Sequence, residues 1–403
     1  MKQLCLASLG LILFAFGAVP AAKAEVEYQL EGNIELEARF FTNGIDDDGR
    51  TDPNLSASID PVLIMLWNRG KHTVTVNPYY RWDINDSKRT HFDIRQLSWI
   101  GAFGNWEFHV GVDKVFWGVT ESAHLVDIIN QDDGVEDVDG EDKLGQPLVS
   151  ASYWSDYGTL TVFLMPYFRE RTFAGPDGRP TSPLPVDTDR PIFSSGTNNW
   201  HPDWAVRYQN TFGVFDVAAS YFSGFDRAPD LVLDVSDEGE PVLRPYYSTI
   251  KQIGLELQAT VDAWLFKFEG INVDGKDKET YQAFAAGFEY TFYQAFGTGG
   301  DIGVISEYLW DSRGAVGPSA SESDIFVGLR WEGNDVSTTR VLTGVIFDVD
   351  TSAKVFFVEA SRRIGDRWRI TLDGRFFLSV PMHDPLYVFR RDDFIQLRLA
   401  RFF

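Results

Sequence analysis

Residues 106–143 read WEFHVGVDKVFWGVTESAHLVDIINQDDGVEDVDGEDK. In the first half Trp106, Phe108, Val110 and Val112 alternate with Glu107, His109, Gly111 and Asp113. That two-residue period belongs to a strand with one apolar and one polar face. The second half is a long segment holding Glu121, Asp127, Asp132, Asp133, Glu136, Asp137, Asp139, Glu141 and Asp142. A strand of membrane-barrel length feeding a long acidic loop is what a pore with an infolded loop needs, so the rest of the chain must supply a closed barrel.

Working outward, the same alternation recurs. Val26, Tyr28, Leu30, Gly32, Ile34, Leu36, Ala38 and Phe40 interleave with Glu27, Gln29, Glu31, Asn33, Glu35, Glu37 and Arg39. Further strand-like runs fall near 57–68, 72–83, 91–102, 106–116, 148–155, 159–168, 203–212, 215–224 and 247–261. The series continues near 264–273, 281–292, 301–311, 323–332, 338–349, 353–363, 368–379 and 393–403. The period therefore predicts about 18 strands, to within about two either way. Short turns such as Arg69-Gly70-Lys71, Phe103-Gly104-Asn105 and Gly365-Asp366-Arg367 alternate with generally longer connections, among them 42–56, 117–147, 169–202, 225–246, 312–322 and 380–392. Short turns at one end and long loops at the other match a transmembrane antiparallel up-and-down β-barrel. A soluble β-sandwich does not so readily give this ordered asymmetry.

Composition agrees. Lys2, the apolar run from Leu4 to Val19 and the small-x-small site Ala22-Lys23-Ala24 predict a signal peptide over 1–24, cleaved after Ala24, with 25–403 as one barrel. The single cysteine, Cys5, lies in that segment, so no disulfide or cysteine–metal chemistry is expected of the remainder. The formal charge of −23 argues against a nucleic-acid partner. Beyond the signal no apolar run is long enough for a membrane helix, whereas a barrel strand needs only about 9–11 residues. Tryptophans near strand ends, among them Trp67, Trp82, Trp106, Trp204, Trp264, Trp310, Trp331 and Trp368, suit aromatic girdles at membrane interfaces.

Two segments carry a family resemblance. The last ten residues, FIQLRLARFF, end an alternating strand on phenylalanine. They resemble the assembly signal of Gram-negative outer-membrane β-barrels, with Arg401 where that pattern usually has an aromatic. The stretch VGVDKVFWGVTESAHLVDIIN is similar to a segment of proteobacterial porin-like channel families, including relatives of the alginate-export barrels. There a strand ends in Trp-Gly, followed by an acidic position and Asp-x-x-Asn; here these are Trp117, Gly118, Glu121, Asp127 and Asn130. The resemblance implies a channel in the outer membrane of a Gram-negative bacterium, bounded by lipid and lipopolysaccharide. It also implies insertion by the barrel-assembly machinery through the C-terminal strand, and a monomer or homotrimer. It does not fix the solute.

If apolar faces meet lipid, the opposite faces line the interior. That phase predicts inward Glu35, Glu37, Arg39, Arg81, Asp83, Arg95, Glu107, His109 and Asp113 early in the chain. Later it predicts inward Arg207, Gln209, Glu256, Lys267, Glu269, Arg330, Glu359, Arg363, Asp373, Arg375, Gln396 and Arg398. In porins the loop after the fifth strand commonly folds inward, and 117–147 follows the fifth strand here. The candidate constriction therefore comprises Trp117, Glu121, Asp127, Asn130, Asp132, Asp133, Glu136 and Asp137 of the loop, opposed by wall residues Arg81, Arg95 and Arg375. An external lid with a solvated acidic face is the other reading of the same loop. Small polar solutes are the expected cargo, with an acidic polysaccharide or an aromatic or lipid-like solute as the selective alternative. A plugged barrel with adhesive surface loops is the alternative of another class.

No cofactor or specific metal site is assigned. IDDDGRTD and EDVDGED place carboxylates near glycine but lack the full spacing of a calcium loop. No enzyme is expected either: Ser122 and His124 are close in sequence, but no Gly-x-Ser-x-Gly is present.

Overall fold

The computed structural model describes residues 25–43, 53–180, 182–297, 299–314 and 322–403. The expected signal, residues 1–24, and the acidic turn 45–52 lie outside them. In chain order the strands begin with β1 (Glu27–Phe41), β2 (Asn54–Trp67), β3 (His72–Asp83), β4 (His91–Phe103), β5 (Trp106–Asp113), β6 (Gln146–Ser155) and β7 (Gly158–Met165). They continue with β8 (Ile192–Phe193), β9 (Asp203–Phe212), β10 (Phe215–Phe225), β11 (Asp230–Val235), β12 (Pro241–Tyr247), β13 (Thr249–Val261) and β14 (Trp264–Gly275). The last are β15 (Tyr281–Phe292), β16 (Asp301–Asp311), β17 (Ser323–Glu332), β18 (Arg340–Asp348), β19 (Lys354–Ile364), β20 (Trp368–Leu378) and β21 (Phe394–Phe402).

All but β8, β11 and β12 form one sheet of 18 strands, each antiparallel to its neighbour, closed by pairing of β1 with β21. The fold is an all-β, up-and-down barrel. Closure leaves no sheet edge, so each wall strand has a hydrogen-bonded neighbour on both sides. Register keeps apolar side chains together on the outside. Leu97 lies opposite Val112, Val110 opposite Val149, and Trp106 opposite Tyr153, their rings 4.9 Å apart. Leu30, Leu36, Phe108, Leu255 and Leu329 are exposed on that outer face. Trp82, Trp106, Trp204, Trp264, Trp331 and Trp368 are exposed as well. A continuous apolar exterior on a closed barrel is the surface lipid covers.

Local departures from regular pairing bear on the interior. Asn77 pairs with Gln96 while Pro78 pairs with Ile94, so Arg95 is the extra residue of a bulge. Pro78 has no N–H to continue the ladder, and the bulge turns the Arg95 guanidinium over the Tyr79 ring, 3.4 Å from its centre. The fifth strand, expected over 106–116, ends at Asp113. Residues 114–116 leave the sheet because the Val115 N–H donates to the Asn130 side chain, at 2.8 Å, rather than to a neighbouring strand. The connection expected over 225–246 contains a hairpin, β11 with β12, to which β8 adds in parallel. This small sheet joins the buried cluster of Phe168, Phe225 and Tyr247 with Phe193.

Candidate functional site

The segment from Lys114 to Gly145 runs along the inner face of the barrel wall. Asn130 closes it. Its side-chain amide donates to the carbonyls of Asp113 and Leu144, both at 2.8 Å, and its oxygen accepts from Val115. Both ends of the segment are thus tied to one buried side chain. Trp117 is buried edge-on against Phe163, with ring centres 5.6 Å apart, and the Trp117 N–H donates to Asp127 at 3.3 Å. Asp127 also faces the Lys143 ammonium at 3.4 Å. Burial pushes its carboxyl up to about 6, with Lys143 pulling the other way.

The first half of the segment is held mainly by apolar packing. Trp117, Val126, Ile128 and Ile129 are buried with Leu148, Phe163, Ile250 and Val273 of the wall. Ala123 and Leu125 pack on a second cluster of Ala285, Ile305, Leu309 and Phe326. Two buried wall carboxylates take up its backbone donors. Glu269 accepts from the amides of Val119 at 2.6 Å, Thr120 at 2.9 Å and Val126 at 3.3 Å, and from the Thr120 hydroxyl at 2.8 Å. Glu307 accepts from the amides of Glu121 and Ser122, each at 2.8 Å, and from the Ser122 hydroxyl. Gly118 permits the close approach: its φ is +137°, and a Cβ there would stand 3.0 Å from the Glu269 carboxylate. The Glu121 side chain meets Arg330 at 2.5 Å and Lys267 at 3.6 Å.

The second half is held by charge. Glu136 meets Arg81 at 2.7 Å, accepts from the Tyr79 hydroxyl at 2.9 Å and lies 3.9 Å from Arg95. Burial would raise its carboxyl, but Arg81, Arg89 and Arg95 together draw it down to about 2. Asp137 pairs with Arg39 at 3.2 Å, and Arg89 donates to the Val135 carbonyl at 2.9 Å while pairing with Glu37 at 2.6 Å. Asp132 pairs with Lys143 at 2.6 Å and Arg171 at 3.3 Å. Asp133 accepts from the Thr172 hydroxyl at 2.7 Å, and burial followed by Glu136 raises its carboxyl. Asp139 meets Arg375 at 3.1 Å; burial and then Asp137 push its carboxyl up to about 7 against the pull of Arg375.

Two cavities flank the second half. A cavity of about 270 Å³ is lined by Asp137, Asp139, Glu141 and Asp142 of the segment and by Glu359, Asp373, Arg375 and Arg398 of the wall. A larger one, about 1000 Å³, is bounded by Phe173, Pro183, Leu231, Leu386 and Phe389 from the long connections. Asp139 and Arg375 line both.

Of the expected site residues, the structure brings Glu136 together with Arg81 and Arg95, while Arg375 meets Asp139. Glu121 sits apart from those arginines, against Arg330. Trp117, Asp127 and Asn130 organise the segment instead of facing a cavity. Sequence reasoning left out Glu307 and Arg89 altogether, and named Arg39 and Glu269 only as inward wall residues. Ser122 and His124 have separate partners, Glu307 and Glu141. The His91 imidazole faces Asp133 and Glu136.

No protein-family model matches the chain, and no curated protein matches it in sequence. Solved structures do. A BenF-like porin from Pseudomonas fluorescens Pf-5 aligns with a TM-score of 0.53 at 11% identity, covering 94% of this chain and 98% of that one. OpdO of Pseudomonas aeruginosa aligns with a TM-score of 0.54 at 10% identity, covering 94% and 96%. Wzi of Escherichia coli, an outer-membrane carbohydrate-binding β-barrel involved in group 1 capsule assembly, aligns with a TM-score of 0.50 at 8% identity, covering 92% and 84%. The chain has the fold of these outer-membrane barrels.

Proposed function

We propose that this chain is an outer-membrane channel for passive diffusion of small polar solutes, with residues 117–147 as its acidic constriction. One observation carries the reading. Inside a closed barrel with an apolar exterior, the cavity beside the segment has six carboxylates against two arginines, Arg375 and Arg398. A water-filled passage lined by one dominant sign of charge selects by sign. Cations are favoured, most strongly at low salt, where screening is weak. Lipid and lipopolysaccharide surround the barrel, and the terminal strand β21, which pairs with β1, is the element for the barrel-assembly machinery to engage.

The test is single-channel recording of the purified folded protein in a planar bilayer with a salt gradient. Steady conductance with a cation-biased reversal potential supports the channel; an anion-biased potential removes the acidic constriction. A plugged barrel is the second reading, favoured by the apolar side chains of Val126, Ile128 and Ile129 packed inside the wall. Silence from folded protein selects it.

A further inference from the structure

At the Glu136 anchor two further side chains converge, His91 and Asp133. We propose that His91, Asp133 and Glu136 form a binding site for one divalent transition ion of the zinc class.

The His91 ring supplies the first argument. Its Nδ1 lies 2.9 Å from the Arg89 carbonyl, which can only accept, so Nδ1 carries the hydrogen. In the neutral ring Nε2 is then left with its lone pair, the tautomer a metal-binding histidine takes when its other nitrogen donates to a backbone carbonyl. Nε2 points at two further acceptors: Glu136 Oε1 at 3.5 Å and Asp133 Oδ2 at 3.8 Å.

Burial supplies the second. The Asp133 side chain is 1% exposed, and neither its Oδ2 nor His91 Nε2 has a hydrogen-bond partner. Three lone-pair donors lie within 4.8 Å of one another. Bonds of about 2.0–2.2 Å around a tetrahedral zinc put neighbouring donors about 3.3 Å apart, near the 3.5 and 3.8 Å that separate Nε2 from the two carboxylate oxygens. The other oxygens are already oriented, by the Thr172 hydroxyl on Asp133 and the Tyr79 hydroxyl on Glu136. Those contacts act as the outer shell that fixes metal ligands.

The donor set decides the ion. One imidazole nitrogen with two carboxylates suits zinc and its neighbours, whereas calcium and magnesium take oxygen throughout. Arg81 shares Glu136, so Asp133 is the carboxylate that balances the ion. A bound ion joins the turn 133–136 to the first residue of β4, adding a fastening to the charged half of the segment.

The folded barrel in detergent, stripped with EDTA, is titrated with Zn²⁺ against a chromophoric chelator. One equivalent should bind, with affinity reduced at least about tenfold in His91→Gln and in Asp133→Asn. His124→Gln, which alters a histidine paired with Glu141, should bind as the wild type does. Heat-modifiable migration on gels certifies that each variant is folded. Co²⁺ in place of Zn²⁺ should give visible d–d bands that disappear in His91→Gln. No stoichiometric binding by folded wild type, or binding indifferent to both substitutions, overturns the site. Both readouts are made without a bilayer, so they stand apart from whether the barrel conducts.

Discussion

The two halves of the segment inside the barrel are held by different forces. From Val115 to Ile129 the contacts are chiefly apolar packing and backbone amides received by Glu269 and Glu307. From Asp132 to Lys143 they are chiefly ion pairs, with Arg39, Arg81 and Arg375 of the wall and Arg171 of the connection after β7 as partners. Glu121, paired with Arg330, is an ionic contact within the first half. Packing fixes position with little regard to salt or pH, whereas ion pairs depend on both. One half is anchored by packing, and the other sets charged side chains beside a cavity.

The sharpest way to break this division is to remove packing and leave charge alone. Trp117→Ala should weaken docking of the segment by about 3–5 kcal/mol, the usual range for deleting a buried tryptophan. Limited proteolysis of the folded barrel reads the change as faster cleavage within 114–145. The wild-type first half should stay protected at about 1 M salt, where the Debye length is about 3 Å. Salt-driven cleavage there would mean that the ion pairs, rather than the packing, hold the whole segment.

The complementary experiment removes charge and leaves packing. Asp139→Asn, Glu141→Gln and Asp142→Asn together should move the reversal potential several-fold closer to zero while leaving protease protection of the first half unchanged. Equal loss of protection in both halves would merge them into one cooperative unit.

The smallest effect concerns a single proton. Asp139 is raised to about 7, chiefly by burial and then by Asp137. Its charge is present above that pH and lost as pH falls through it. Cation preference should therefore step down between about pH 8 and 6, and Asp139→Asn should remove the step. Glu136, drawn down to about 2, keeps its charge and its grip on Arg81 across the same interval. A step that survives in Asp139→Asn would assign the titration to another group.

The barrel was legible because a half-buried strand repeats every two residues: the alternation from Val26 to Arg39 leaves no competing helix, and the strands fall within a few residues of where the pattern puts them. It missed the hairpin of β11 and β12, where Pro241 and Pro245 interrupt strand propensity and the strands pair in a sheet separate from the barrel. The site was less legible. Alternation tells which way a side chain points, not what it meets. Glu269 accepts from Thr120, 149 positions away, and Glu307 from Glu121, 186 away. Nothing local in either glutamate says that its partner is a backbone amide. The bulge at Arg95 was hidden as well, since one extra residue changes the phase of only a short stretch.

The partners of the two halves also divide along the chain. Most arginine partners of the charged half, Arg39, Arg81, Arg89 and Arg95, precede the segment in sequence. Glu269, Glu307 and most of the apolar clusters follow it. Arg39, Arg81, Arg95 and Arg375 stand on β1, β3, β4 and β20, one arc of the closed ring, whereas Glu269 and Glu307 stand on β14 and β16, in another. The segment thus acts as a crossbeam, tying one arc of the ring to another from within.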